Sequence, residues 1–390
     1  MTGSATGTPG VDRAGRTARP RLSSLDVVRG LMLVVSVSVN SLLVVPAWFD
    51  HAEWDGVHGI DLVFPVFVTL TGCGLAFAMH RRTDVRSLAR RVLVLVAVGL
   101  LYNALTSGAW DPATWRVTGV LQLYALVVLV LVLLHLLTRS WRGWLALTAV
   151  LAAAHTALLA GWAGTCPGGT LTRECNPSGW LDVAAFGADH VYRLGTAGHD
   201  PEGLVAASGA VVSAAAGATV GHLLLTVRAS AAGERRGPWA AVGPVAAVAG
   251  VLAALAWLAV AVPGALGVEV PVMKRLWSAP FGLSVAAGVA LALVLAHVVL
   301  DRASTPRALR TATWPLVALG RNSLLVYFGS HVVTALLARQ VDADGRSLSA
   351  RTAEAVAVGG HQQVPYTVLA VLAWTALAAL LHRRGVYLRP

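Results

Sequence analysis

Apolar residues fall in long blocks along this chain, separated by polar seams. Blocks of about 20 residues, the length a helix needs to cross a bilayer core, lie near 27–46, 60–80, 90–107, 118–138, 141–163, 203–227, 238–262, 278–300, 314–338 and 365–382. The pattern predicts an all-α polytopic transmembrane bundle of about ten spans. Alternate seams are short. On the opposite side two are long, 164–202 and 340–365. The first contains SGWLDVAAFGADHVYRLGTAGHDPEG, whose spaced aromatic and acidic residues predict a partly ordered lid over the bundle. The second is polar and rich in Gly and Ala, and is expected to be mobile. No repeat of 20–50 residues recurs.

Composition agrees with this pattern. The 390 residues are 56% hydrophobic and 13% charged, with a mean hydropathy of +0.68. Soluble domains carry roughly 25% charged residues, so a soluble chain is excluded. The net charge of +11 would fit a nucleic-acid partner, but its distribution gives a simpler cause. With the N-terminus in the cytoplasm, 21 of the 30 Lys and Arg fall on inside segments. Eight lie outside (Arg116, Arg173, Arg193, Lys274, Arg275, Arg339, Arg346 and Arg351), and Arg321 lies within a span. The positive-inside rule then predicts an even number of spans, both termini cytoplasmic, and a multi-pass protein of the cytoplasmic membrane in contact with lipid. Nucleic acid is set aside as a partner.

Residues 1–24 read as a disordered basic cytoplasmic tail, and 25–390 as one transmembrane domain. No cleavable signal peptide is expected, because the first span opens with Asp26 and Arg29 and no small-residue cleavage site follows. Cys166 and Cys175 share the first long outside loop, where an oxidising exterior favours a disulfide. Cys73, in the second span, reads as a buried inert thiol.

A polar group inside a span costs energy, roughly 2.5–3.5 kcal/mol for an Asp or Arg at the helix centre, so each needs a reason. Asn40 suits an interhelical hydrogen bond. Asp26 and Arg29, one turn apart, suit a pair at the cytoplasmic mouth. Arg321, beside Asn322 and followed by His331, either snorkels or meets a phosphate. His135, His155, His222 and His297 read as packed side chains, His80 and His382 as helix ends, and His361 as a loop residue.

One seam is different. DHAEWDGVHGIDLVFP carries Asp50, His51, Glu53, Asp55, His58 and Asp61 within twelve residues. Three readings are open: a metal site, a merely polar loop, or catalysis. The seven-residue spacing of the two histidines matches no ligand pattern and no cysteine joins them, so no metal is assigned. Histidine is poised to take a proton near neutral pH or to carry an acyl group, and a carboxylate such as Asp61 can orient its ring.

At these residues the sequence resembles the heparan-α-glucosaminide N-acetyltransferase family of polytopic membrane acyltransferases and their bacterial relatives. The likeness starts at RLSSLDVVRGLMLVVSVSVN and continues through HAEWDGVHGIDLVFPVFVTLTG, RVTGVLQLYAL, DHVYRLGTAGHDPEGL, MKRLWSAPF and LGRNSLLVYFGSH, in order from Arg21 to His331. Leu123 departs from it, standing where the family commonly has Arg. The resemblance implies His51 as catalytic base or acyl carrier, Asn40 as a functional asparagine, and Asp61 as the supporting carboxylate. It further implies acetyl-CoA as co-substrate rather than a permanently bound cofactor, with Arg29, Arg321 and Asn322 as candidate contacts. An extracytoplasmic amino sugar or glycan would be the acceptor, with Trp54, Asp200 and Glu202 as its candidate contacts. A homodimer is admitted. Two other classes stay open: a transporter of a small solute or lipid-linked sugar, and a non-catalytic membrane partner in which His51, Asn40 and Asp61 do not converge.

Overall fold

The computed structural model describes residues 22–80, 85–234, 237–302 and 304–388. Most of the N-terminal tail expected from sequence lies outside these residues, but Ser23 and Ser24 already belong to the first helix. In chain order the helices are α1 (Ser23–Asn40), α2 (Val63–Met79), α3 (Val85–Ser107), α4 (Val120–Leu137), α5 (Trp141–Ala163), α6 (Pro177–Phe186), α7 (Leu204–Glu234), α8 (Val242–Ala265), α9 (Ala279–Leu300), α10 (Arg307–Arg321), α11 (Ser323–Arg339), α12 (Leu348–Ala355) and α13 (Gln363–Arg383). Short 3-10 turns link several of them, and no strand longer than an isolated bridge occurs among the described residues.

Eight of these helices are long and apolar enough to span a membrane, or nine when the pair α10–α11 counts as one. Two of the ten expected spans therefore differ from the simple pattern. The apolar helix α4 is short. The ninth span is broken, because α10 and α11 meet at a 72° bend. Asn322 makes the break: its N–H reaches Leu319 O at 2.9 Å and its amide bonds Ala318 O at 3.1 Å. A side chain that competes for the i−4 carbonyl in this way bends or ends a helix.

The core is built around α7, which packs on α2, α4, α5 and α9. With no hydrophobic drive between helices in lipid, small residues set how closely helices approach. A Cβ on Gly217 would sit 1.9 Å from Thr69 O of α2, and one on Gly72 would sit 1.9 Å from Ala214 O of α7. Gly30 and Gly320 give α1 and α10 the same close approach. Gly217→Leu is expected to force α2 and α7 apart and to destabilise the bundle by at least about 1–3 kcal/mol. A thermal melt of the detergent-solubilised variant matching the parent would refute this packing.

The loop 164–202 is tied by a Cys166–Cys175 disulfide and contains α6 and three short 3-10 turns. The segment 340–362, expected to be mobile, contains α12, whose N-terminus is capped by the Ser347 hydroxyl.

Candidate functional site

The loop between α1 and α2 folds back on itself around one carboxylate. Asp61 lies in a 3-10 turn, Gly59–Leu62, at the start of α2, and is 1% exposed. Its Oδ2 accepts the backbone N–H groups of Ala52 (3.2 Å) and His58 (2.9 Å), while Oδ1 lies 2.5 Å from His51 Nδ1. A carboxylate can only accept here, so the ring proton sits on Nδ1, and Nε2 is the basic nitrogen. The His51 side chain is 37% exposed. The ring is thus fixed in tautomer and orientation by a buried partner, and its free nitrogen remains accessible.

A third group was not singled out from sequence. Lys274 Nζ, from the segment between α8 and α9, lies 3.5 Å from Asp61 Oδ1 and 3.1 Å from His51 Nδ1. Its neighbours hold the same loop: Arg275 Nε donates to Ala52 O at 3.0 Å, and Met273 forms a parallel bridge with Gly56. Gly56 adopts φ +83°, which a side chain would strain. A signal for Lys274 was nevertheless present in the sequence. It is the only lysine in the chain.

The other expected residues are distributed more widely. Asn40, at the end of α1, places its carboxamide against Ser330 Oγ (3.2 Å) and His331 Nδ1 (2.9 Å) of α11, not against His51 or Asp61. Trp54 donates to Leu171 O and meets the His199 ring edge-on at 5.1 Å, tying the histidine loop to the disulfide loop. Asp200 is 1% exposed with both oxygens occupied: Arg116 (2.7 Å) and Glu202 N–H on Oδ1, Thr118 Oγ1 (2.5 Å) and Tyr192 N–H on Oδ2. It anchors the lid and has no oxygen left over for an acceptor. Glu202 pairs with Arg116 at 2.6 Å and is still partly exposed, with its field felt at Lys274.

Arg29 and Arg321 lie apart from this cluster. Arg29 is in the second turn of α1, about 16 Å along the helix from Asn40 at 1.5 Å per residue. Its guanidinium donates to Leu70 O at 2.9 Å. The Arg91 guanidinium of α3, close enough for its charge to be felt, has a buried Nε with no hydrogen-bond partner among the described residues. Arg321 stacks over the Tyr387 ring at 3.9 Å, and Asn322 forms the helix break. No group of three or more His, Cys, Asp or Glu able to hold a metal occurs among the described residues. His58 Nδ1 is turned to Asp50 O.

Beside the histidine loop, an open cleft of about 420 Å³ is lined by Arg173, Tyr192, Arg193, His199 and Arg275. Burial holds the His199 imidazole neutral, with its pKa pushed down to about 4. Its contribution to stability is therefore complete above the ordinary value of 6.5 and is lost as pH falls from there toward 4. Asp182, on α6, acts in the opposite sense. Burial raises its pKa to about 6, so its contribution is present below 3.8 and is lost as pH rises through 6. The two offset each other between pH 4 and 6. His199→Phe is expected to remove one side of that balance, so that the variant gains thermal stability relative to the parent as pH drops from 6.5 to 4. Parallel melting curves across that range would overturn this assignment.

Comparison with known proteins finds a family model that covers the histidine loop. Residues 21–167 match the family model described as heparan-alpha-glucosaminide N-acetyltransferase, catalytic. The Homo sapiens heparan-alpha-glucosaminide N-acetyltransferase is 25% identical over 370 residues, covering 80% of this chain and 53% of that protein. The Mus musculus protein of the same name is 30% identical over 119 residues, 27% of this chain and 18% of that protein. The chain thus spans about half the length of the human relative it matches. In agreement with the resemblance read from the sequence, residues 21–167, with Asn40, His51 and Asp61 among them, are similar to the heparan-alpha-glucosaminide N-acetyltransferase catalytic family.

Proposed function

We propose that this protein is a membrane-integral acetyltransferase that passes an acetyl group from acetyl-CoA on the cytosolic side to the amine of an extracytoplasmic amino sugar or glycan. The observation that carries this reading is the 2.5 Å contact of His51 with the buried Asp61, which leaves Nε2 free on an accessible edge. His51 Nε2 takes the proton of the attacking amine and returns it to the departing thiolate of CoA. The C–S bond breaks as the C–N bond forms. In the covalent variant of the same path, Nε2 first takes the acetyl group as the C–S bond breaks and CoA leaves as the thiolate; the amine then forms the C–N bond, displaces the imidazole and gives up its proton to the thiolate. Asp61 holds the tautomer and stabilises the imidazolium. Asn40, its carboxamide held by Ser330 and His331, is assigned the thioester carbonyl.

The donor's phosphates are assigned to Arg29, which donates to Leu70 O, and to Arg91, whose buried Nε has no hydrogen-bond partner among the described residues, with Arg321 as a further candidate. The arginine-lined cleft beside Trp54 is the acceptor's approach. The membrane is the cytoplasmic one, with both termini inside, by the distribution of arginines.

Of the three residues whose convergence argues against a non-catalytic role, His51 and Asp61 meet at 2.5 Å, while Asn40 is held apart by Ser330 and His331. The break at Asn322 favours a second reading, because discontinuous helices line transport sites. Transport needs no CoA. Purified protein incubated with labelled acetyl-CoA and a panel of amino sugars is expected to release CoA and form an N-acetyl product, and acetyl-CoA is expected to raise its melting temperature. Neither CoA release nor stabilisation would favour the transporter.

A further inference from the structure

Three consecutive residues, Met273, Lys274 and Arg275, fasten onto the histidine loop at Gly56, at His51 and Asp61, and at Ala52 O respectively. The turn that presents them is held rigidly. Ser278 Oγ accepts the Met273 N–H at 3.1 Å, and the Trp277 N–H bonds Lys274 O at 2.8 Å. Trp277 itself sits at φ +48°, fully buried, with its indole N–H on Ser213 Oγ. A bulky residue in the left-handed region costs of order 1–3 kcal/mol and persists only where its surroundings enforce it. Such strain gathers where a side chain has to be placed accurately.

The residue so placed is the only lysine in the chain, against 29 arginines. A compact ammonium on a flexible stem fits between an imidazole and a carboxylate oxygen with less crowding than the planar fork of a guanidinium. With the proton of Nδ1 directed at Asp61, the Lys274 approach of 3.1 Å sets one cation against the ring rather than adding a hydrogen bond.

We propose that Lys274 is a positioning residue whose charge, set against Nδ1, favours release of the proton that His51 takes from the acceptor. This inference rests on the acetyl-transfer reading above. Asp61 sets a full negative charge against the ring, which holds a proton once Nε2 has taken it. The ammonium beside Nδ1 opposes that. It shares Asp61 Oδ1 with the ring, so the carboxylate orients His51 without trapping it as a cation. The groups facing His51 are few. On its own loop, Asp50 accepts the His51 backbone N–H at 2.7 Å, and His58 is turned to the Asp50 carbonyl. Asp61 comes from the start of α2, and Lys274 and Arg275 from the turn before α9. From the lid, the Glu202 charge reaches Lys274. Burial, with the Arg275 charge beside it, holds the Lys274 pKa below its ordinary value, and the carboxylates of Asp61 and Glu202 offset only part of that lowering.

The test is the pH profile of kcat/KM for acetyl-CoA at saturating glucosamine, with the full-length protein in detergent. The acceptor's own ionisation is common to all variants. Lys274→Met, which keeps the volume and removes the charge, is expected to move the acid limb up by about one pH unit or more, because the ring becomes a stronger base. Lys274→Arg keeps the charge and is expected to leave the limb in place while its bulk slows the reaction. A Lys274→Met limb that coincides with that of the parent overturns the inference, and so does a Lys274→Arg limb that moves equally far. If Lys274→Met does not fold, Lys274→Gln takes its place with the same expectation. Failure of the underlying reading is a separate result: the parent would then show no turnover that depends on His51.

Discussion

His51→Ala is expected to lower kcat/KM for acetyl transfer by about 10²–10⁴, the range a positioned general base contributes, with the fold intact. The side chain is partly exposed, and its loop is independently fastened by the Arg275 bond to Ala52 O and by the Gly56–Met273 bridge. Its removal leaves Asp61 with two backbone donors and Lys274, so no buried charge is stranded. CoA release and a thermal melt on the same sample check both halves of this expectation. Full turnover in the variant would end the assignment of chemistry to this residue. Asp61→Asn should fall in the same direction, because an amide nitrogen placed at Oδ1 would repel the Nδ1 proton and favour the wrong tautomer.

The second large effect is one of stability. Asp200→Ala removes an acceptor of four hydrogen bonds from one buried site and leaves the Arg116 guanidinium with Glu202 and the Thr118 hydroxyl. Breaking a buried charge pair by deleting one member typically costs about 3–5 kcal/mol. The loss is expected to be local first. Tyr192 and Glu202, whose backbone N–H groups Asp200 holds, should exchange amide hydrogens much faster, while α7 and α9 stay protected. Exchange measured by mass spectrometry at peptide resolution decides this. Unchanged protection across residues 192–202 would mean that the lid has another anchor.

The ten apolar blocks were readable because each is decided by composition over twenty positions, and hydropathy adds along a window. The break at Asn322 was not, because a single amide reaching back to Ala318 O leaves the hydropathy of 314–338 unchanged. His51 and Asp61 stood out as an ionisable cluster and lie ten positions apart, within one loop, where sequence reasoning works. Lys274 comes from 223 positions further on, a proximity that no local pattern encodes. Asp200 illustrates the reverse difficulty. Its motif marked it as important, but only the surrounding Arg116, Thr118 and Tyr192 reveal that its oxygens are already taken.

The fastening of the histidine loop by Met273, Lys274 and Arg275 also sets a time order on the making of the protein. Chains grow at about 5–20 residues per second. The 223 positions that separate Lys274 from His51 therefore correspond to roughly ten to forty-five seconds of synthesis at those rates. During that interval α1 to α8 can insert and pack while the loop lacks its partner. The nascent protein is expected to have its histidine in place but not yet poised, and so to acquire activity only when the segment ahead of the ninth helix arrives. By the same logic a fragment ending after residue 167 would contain His51 and Asp61 and still be unable to assemble the complete site.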